Sequence, residues 1–159
     1  MKSTSLINHK VPFVVRNSSV HGLGAFTTRR IRKGSRIIEY TGERISAKVA
    51  DRRYQDDASE HPLVLLFTVN KKTFIDAGVG GNEARYINHA CTPNCEAIIE
   101  SGRIYIHAIR RIEADEELFY DYNLERDSKE DEDSTGAYAC HCDASACRGT
   151  MLAPLSKAK

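Results

Sequence analysis

The stretch "YINHACTPNCEA" (86–97) carries the first group of side chains suited to chemistry. It places Asn88 and His89 just before Cys91 and Cys95. Histidine and cysteine bind metals, two cysteines can form a disulfide, and a thiolate beside a histidine can act as a nucleophile. The spacing of these four residues is compatible with all three functions, so the rest of the chain has to decide.

A second group of cysteines, near the carboxyl end, favours a metal. Its spacing is Cys140-x-Cys142-x4-Cys147, and the chain has five cysteines in all, an odd number that cannot pair completely as disulfides. Clustered thiols in a reducing compartment are typical of zinc sites. A structural zinc takes four ligands, and this tail supplies three cysteines.

The fourth ligand has three candidates. His141 lies inside the tail, but both of its neighbours are already cysteines. The other cysteines are Cys91 and Cys95, and spacing does not choose between them. Either one would clamp the tail against the "NHAC" segment.

The composition excludes several classes of protein. A chain of 159 residues with 41% hydrophobic and 28% charged residues indicates one soluble domain with a real core. The net charge of +1 lacks the basic excess of most nucleic-acid-binding proteins, so we expect no direct nucleic-acid binding. We find no apolar run near the roughly 18 residues that span a bilayer and no signal-peptide core. We therefore expect a protein without membrane contact that is either intracellular or exported by a route that needs no such signal.

The elements that position the cysteines and histidine are mostly short strands separated by turns. Alternating and β-branched runs predict strands in 13–17, 21–29, 33–43 and 116–123, and hairpins in 63–78 and 96–112. A helix is predicted over 46–58 with Ser46 as its N-cap, and one or two helical turns over 83–90. Seven or eight strands and little helix predict a mostly β fold.

The composition changes after Asn123. Residues 124–136 are acidic and poor in apolar side chains, which predicts a flexible linker. Residues 137–153 then form the small cysteine-rich tail.

Four motifs, in order, resemble those of the SET-domain protein lysine methyltransferases with a post-SET zinc tail. They are "VHGLGAF", "IIEYTGE", "ARYINHACTPNCEA" followed by "IHAIRRIEADEELFYDY", and "CHCDASACRG". The resemblance covers residues 12–153. It implies a SET-domain (β-clip) fold of small sheets over 12–123, with a knot-like crossing of the "NHAC" and "YDY" segments, and a post-SET zinc-binding tail over 137–153.

This resemblance implies a site for S-adenosyl-L-methionine, the methyl donor of the family. Glycine in the "HGLG" loop suits a ligand that approaches the backbone closely. The residues implied to bind the cofactor are His21, Gly22, Leu23, Gly24, Arg85, Tyr86, Asn88, His89 and Tyr122. Leu23 departs from the aromatic residue found in many relatives and removes one surface on which the cofactor can stack.

The resemblance also assigns the catalytic residues and the lysine channel. Tyr122 matches the catalytic tyrosine, acting as an orienting and electrostatic group more than as a base. Tyr120 matches the residue that tunes product state, and a tyrosine there resembles enzymes that stop at mono- or dimethylation. Leu65, Phe67 and Tyr120 are implied to line the channel, with Leu65 at a position that is aromatic in many relatives.

For the metal, the resemblance selects Cys91 as the fourth zinc ligand. The implied Zn²⁺ ligands are Cys91, Cys140, Cys142 and Cys147. Cys95 is then the unpaired fifth cysteine. Asp115 departs from the family pattern at a turn where glycine is common.

The function implied is methyl transfer to a lysine ε-amine of a protein, with a histone tail as the substrate by analogy. The acidic run could attract a basic peptide, although a solvated linker explains it equally well. The alternatives are a catalytically weak SET-like module tied by zinc, and a cysteine enzyme, which zinc binding disfavours. We expect a nuclear location if the host is eukaryotic, and a cytoplasmic or host-delivered protein if it is bacterial. Residues 1–11 contain no cysteine, which predicts a stripped-down enzyme or an excised domain.

Overall fold

The computed structural model describes residues 11–54, 65–125 and 138–154. Within these ranges the chain forms ten short strands, the α-helix α1 (Ala47–Tyr54) and a 3-10 helix (Glu83–Tyr86). The strands are β1 (Phe13–Asn17), β2 (Leu23–Thr27), β3 (Arg36–Tyr40), β4 (Glu43–Ser46), β5 (Leu66–Asn70), β6 (Thr73–Asp76), β7 (Asn88–His89), β8 (Cys95–Glu100), β9 (Arg103–Ala108) and β10 (Phe119–Tyr120). The predicted mostly β fold of small sheets is confirmed.

Three sheets share these strands. β1 pairs with β2, β4-β6-β5 form a second sheet, and the largest sheet has the order β3-β9-β8-β10-β7. Alternation on β9 buries Ile104, Ile106 and Ala108, as expected for a strand with one face against the core. The central sheet therefore forms one wall of the hydrophobic core.

Local sequence explains both predicted hairpins. Between β5 and β6, the Asn70 side chain accepts a hydrogen bond from the backbone N–H of Lys72 across 2.9 Å, an Asx turn. Between β8 and β9, Ser101 and Gly102 both have positive φ, 48° and 74°, as a tight two-residue hairpin turn requires.

The predicted helix is also confirmed over its described residues. It begins directly after Ser46, whose Oγ accepts a hydrogen bond from the N–H of Val49 across 3.3 Å, an N-cap interaction. The predicted helix extends to 58, but residues 55–58 lie outside the described ranges. In the part of the chain that the structure covers, no helix has the length and apolar character needed to cross a bilayer.

Parallel pairing of β10 with two other strands assembles the site. Tyr120 lies opposite both His89 of β7 and Cys95 of β8. This pairing brings together the two segments of the expected crossing. Because β10 ends at Tyr120, the next two residues leave the sheet beside His89.

The tail is attached to the domain by backbone hydrogen bonds. Leu124 donates to the carbonyl of Met151 across 3.1 Å, and Ala153 donates back to the carbonyl of Leu124 across 2.9 Å. Leu124, the first residue of the predicted linker, is thus paired with the tail. Most of that linker, 126–136, lies outside the described residues.

Candidate active site and metal centre

Asn88 connects the glycine loop, the "HGLG" segment at 21–24, to the largest sheet, which has the order β3-β9-β8-β10-β7. Its Nδ2 lies 3.2 Å from the carbonyl oxygen of His21, 3.0 Å from that of Leu23 and 3.0 Å from Oε1 of Glu117. A side-chain amide has two donor hydrogens, which these three acceptors share. The loop before β2 is therefore fixed in position by one side chain of β7.

Glu117 is a residue of this network that the sequence analysis did not identify. Its Oε2 accepts a hydrogen bond from Ser18 Oγ across 3.0 Å, and Ser18 Oγ in turn accepts one from the N–H of Val20. A Cβ at Gly24 would lie 2.1 Å from Glu117 Oε1. A side chain at position 24 would therefore displace the Glu117 carboxylate from its present position.

A cavity of about 680 Å³ opens beside this loop, a volume typical of small-molecule sites. Every residue predicted to bind the cofactor lines it except Gly24. Its lining residues are Val20, His21, Gly22, Leu23, Leu65, Arg85, Tyr86, Asn88, His89, Tyr122, Ala139, Cys140, His141 and Met151. The tail residues Ala139, His141 and Met151 were not predicted there. The tail therefore forms one wall of the cavity.

A second, smaller cavity of about 240 Å³ is also lined by Tyr122. It is lined by Leu66, Phe67, Thr68, Tyr120, Tyr122, Asn123, Leu124 and Glu125. Of the three residues predicted to form a lysine channel, Phe67 and Tyr120 lie here. Leu65 lies instead in the larger cavity. Tyr122 is the residue that the two cavities share.

The Tyr122 hydroxyl is held in a fixed orientation. It donates a hydrogen bond to the carbonyl oxygen of Ile87 across 2.8 Å, and burial raises the pKa of this phenol. Its ring packs against Tyr120 with centroids 4.7 Å apart, and the Tyr120 ring stacks on Phe67 at 6.1 Å. Tyr122 is therefore a neutral, oriented hydroxyl beside an aromatic wall.

His89 connects this tyrosine to the cysteine group. Its Nδ1 accepts a hydrogen bond from the backbone N–H of Tyr122 across 3.0 Å. Burial lowers the pKa of His89 to about 4, so the ring is neutral near pH 7 and its one proton is on Nε2. Nε2 lies 3.4 Å from Sγ of Cys91 and donates toward this sulfur. His89 is therefore not placed to activate a cysteine as a base.

Four cysteines converge at the junction of tail and domain. The cluster consists of Cys91, Cys140, Cys142 and Cys147, all four sulfurs within 4.8 Å of one another. Sγ of Cys91 is 3.7 Å from that of Cys140 and 3.9 Å from that of Cys147. Zinc–sulfur bonds of about 2.3 Å place the sulfurs of a regular tetrahedron about 3.8 Å apart. The donor set and spacing fit a zinc ion.

The same cluster includes one of the two candidate cysteines and leaves out the other. Cys91 joins the three tail cysteines, whereas Cys95 is 1% exposed in the core. Burial raises the pKa of the Cys95 thiol to about 12. All five thiols are free, and Cys95 lies outside the cluster as a buried side chain of the core.

An ion pair reinforces the attachment of the tail. The guanidinium of Arg148 makes two hydrogen bonds to Asp121, of 2.7 and 2.8 Å, while its backbone N–H lies 3.3 Å from Sγ of Cys91. Burial alone would raise the pKa of Asp121, but the Arg148 guanidinium holds it below its ordinary value. The domain thus binds Arg148 of the tail through both the Cys91 sulfur and the Asp121 carboxylate.

Comparison with known proteins agrees with this geometry. The profile of the family described as "SET domain" matches residues 22–123. A protein of Aspergillus oryzae named "Histone-lysine N-methyltransferase, H3 lysine-4 specific" is 40% identical over 156 residues, which are 95% of this chain and 12% of that protein. The protein of the same name from Saccharomyces cerevisiae is 42% identical over 153 residues, which are 92% of this chain and 14% of that protein. The chain thus spans about an eighth of the length of these relatives.

Proposed function

The chain belongs to the SET-domain family, and from that premise we propose that it is a protein-lysine N-methyltransferase. The methyl donor would be S-adenosyl-L-methionine and the acceptor the ε-amine of a lysine in a protein. The observation that carries this proposal is the position of Tyr122, which lines both the larger and the smaller cavity. A cofactor in one cavity and a lysine side chain in the other would meet at this residue.

The larger cavity would hold the cofactor. The glycine loop, Arg85, Tyr86 and Asn88 would bind it, with tail residues such as His141 closing the site. When bound, S-adenosyl-L-methionine supplies an electrophilic methyl group on a positively charged sulfur. Asn88 acts by fixing the glycine loop through the carbonyls of His21 and Leu23.

The smaller cavity would hold the lysine side chain. A lysine amine has a pKa of about 10.4, and its deprotonation at pH 7 costs roughly 4 to 5 kcal/mol. The aromatic wall formed by Phe67, Tyr120 and Tyr122 excludes water and favours the neutral amine. Alignment of the amine with the methyl group would then supply several kcal/mol of the rate acceleration.

Tyr122 would orient groups without transferring protons. Its hydroxyl donates to Ile87, which leaves the oxygen lone pairs directed away from that carbonyl and able to accept weak hydrogen bonds. Since burial raises the pKa of this phenol, it would stay protonated near neutral pH. The amine proton would therefore leave to solvent before transfer.

A zinc ion would hold the tail over the cofactor cavity. Cys91, Cys140, Cys142 and Cys147 would be its ligands, and Cys140 also lines the cavity. The metal would thus serve structure rather than catalysis, because four thiolates leave no coordination position open. The domain would comprise residues 12–123, and the tail residues 137–153.

We propose a histone tail as the substrate, because the relatives are named for histone H3 lysine-4. The place of action would then be intracellular, in the nucleus of a eukaryotic host. To test the proposal, the chain is incubated with methyl-labelled S-adenosyl-L-methionine and histone H3, and separately with a protein extract. We expect label on lysine in H3. Label on no protein, from a chain that binds the cofactor, would favour a non-catalytic SET-like module.

A further inference from the structure

A group of exposed cations lies in the two chain segments that meet at the Ile31–Ile112 bridge, at the far end of β2 from the cofactor cavity. This basic face consists of Arg29, Arg30, Arg32, Lys33, Arg110 and Arg111, all of them exposed. Leu23 lines the cavity, whereas the basic face begins two residues after Thr27, the last residue of β2. At about 3.3 Å per residue, roughly 13 Å of strand separates these two ends of β2.

An antiparallel bridge between two buried isoleucines organises this face. Ile31 and Ile112 exchange two backbone hydrogen bonds of 2.9 and 3.0 Å, and both side chains point into the core. Along extended backbone, adjacent side chains point to opposite sides. Residues 30, 32 and 111 therefore point outward together, and residues 29, 33 and 110, in the bends and turn beside the bridge, are exposed as well.

The face has more cations than its own carboxylates can neutralise. Glu113 accepts hydrogen bonds from both Arg30 and Arg111, and Glu116 pairs with Arg110 at 2.8 Å. The basic face thus contains six cations and two carboxylates that pair with them, although the net charge of the whole chain is only +1. The charge of Asp115 does not reduce this excess, because Asp115 forms an ion pair of 4.0 Å with Arg16, which is not one of the six cations. Among the described residues, no ion pair is formed by Arg29, Arg32 or Lys33.

We propose that the basic face binds the phosphate backbone of double-stranded DNA. No residue of this face lines either cavity, so the face does not suit a small enclosed anion. Guanidinium groups bind phosphate with two parallel hydrogen bonds, and duplex DNA offers one charge per about 1.7 Å of helix axis. We expected no nucleic-acid binding because the net charge of the whole chain is only +1. That value is the sum of a positive charge on the basic face and a negative charge on the remaining residues.

Such binding would hold the enzyme beside DNA-wrapped histones, and this benefit alone rests on the proposed function. The DNA contact itself is independent of methyl transfer. It involves none of the residues that line the cavities and needs no cofactor. A failure of the DNA proposal would therefore leave the methyltransferase proposal intact, and the reverse also holds.

The test measures binding of a fluorescent duplex of random sequence by anisotropy at several salt concentrations, without cofactor. With three phosphate contacts, the affinity should fall about 40-fold between about 50 and about 200 mM salt. Combining Arg29→Gln, Arg32→Gln and Lys33→Gln should reduce the salt slope by about 1 per cation removed. The single variants Arg32→Gln and Lys33→Gln should each reduce it by about 1, which provides a check if the triple variant folds poorly.

A charge-matched control keeps the result specific to this face. It combines Lys48→Gln, Lys71→Gln and Lys72→Gln, at exposed positions on α1 and in the β5–β6 turn. The DNA affinity of this control variant should depend on salt nearly as steeply as that of the wild-type chain. The proposal is overturned if the wild-type chain does not bind DNA at about 50 mM salt, or if both triple variants weaken binding equally. Displacement of the DNA by polyglutamate at equal charge concentration would also overturn it, in favour of an acidic protein partner.

Discussion

The backbone N–H of Tyr122 donates a hydrogen bond to Nδ1 of His89 across 3.0 Å. On the other side of the same ring, Nε2 is 3.4 Å from Sγ of Cys91. One neutral imidazole thus connects the proposed catalytic tyrosine to the proposed zinc centre. The two functions of the "NHAC" segment share this side chain, and each contact uses a different ring nitrogen.

Two substitutions of His89 should separate these contacts. His89→Asn places an amide oxygen near the position of Nδ1, and His89→Gln places an amide nitrogen near that of Nε2. We expect His89→Gln to leave the Tyr122 N–H without its acceptor, with a loss of about 1 to 3 kcal/mol in the free energy of unfolding. His89→Asn should keep that hydrogen bond but release zinc to a chelator faster. Thermal unfolding and metal-release rates check this, and equal behaviour of the two variants would contradict it.

The buried His89 also predicts how stability depends on pH. Its pKa is about 4 in the folded chain against 6.5 for an ordinary histidine, so between these values the unfolded state binds more protons. Stability should therefore be complete above pH 6.5 and fall as the pH is lowered toward 4, by about 3 kcal/mol in total. Denaturant unfolding from pH 7 to 4 measures this. His89→Gln should show a shallower fall, and an identical profile would argue against His89 as the source.

The ion pair between Arg148 and Asp121 should contribute to cofactor binding through the tail. Arg148→Gln removes both hydrogen bonds to Asp121, and we expect about a tenfold loss of cofactor affinity, as for a hydrogen-bonded charge pair. Calorimetric titration with S-adenosyl-L-methionine measures the loss. The matched control is Arg103→Gln, which breaks a two-hydrogen-bond ion pair with Glu39 away from the tail. An equal loss in the control would show that the effect is not specific to the tail.

Metal analysis should distinguish the two cysteines of "YINHACTPNCEA". We expect one zinc per chain in the wild type, one in Cys95→Ala and substantially less in Cys91→Ser, since only Cys91 joins the tail cysteines. Chelation should also weaken cofactor binding, because Ala139, Cys140 and His141 line the larger cavity. A Cys91→Ser chain with a full complement of zinc bound by four thiolates would refute the ligand assignment.

Substitution of Tyr120 should change the number of methyl groups added. Its ring packs against both Tyr122 and Phe67 in the smaller cavity. Its hydroxyl can hold a water where further methyl groups would have to fit. Tyr120→Phe should therefore shift the product from mono- or dimethyl-lysine toward higher states. Mass spectrometry of the product peptide measures the distribution, and an unchanged distribution would refute this role.

Local patterns in the sequence were enough to predict most of the fold. Ser46 predicted the start of α1, because its side chain caps the first turn of the helix. The "SGR" segment predicted the β8–β9 turn, in which Ser101 and Gly102 have positive φ. The Asp115 turn has φ 66°, a conformation that favours glycine. Such features depend on residues close in sequence, and for that reason they can be read from it.

Contacts between distant segments were not predictable in the same way. Glu117 reaches Asn88 and Ser18 across 29 and 99 residues, and no spacing rule singles it out within "EADEEL". Leu65, which the resemblance assigns to the lysine channel, lines the larger cavity, a position that no local pattern predicts. The choice of Cys91 over Cys95 likewise required the family pattern, since it depends on how the tail folds back.

The central claim is that Tyr122 promotes methyl transfer where the two cavities meet. The most direct test is mass spectrometry of a histone H3 amino-terminal peptide incubated with S-adenosyl-L-methionine and either the wild-type chain or Tyr122→Phe, with cofactor affinity measured in parallel. We predict methylated lysine with the wild type, and a roughly 100-fold slower reaction with Tyr122→Phe at nearly unchanged cofactor affinity. Equal rates for the two proteins, or no methylated lysine from a wild-type chain that binds the cofactor, would contradict this account.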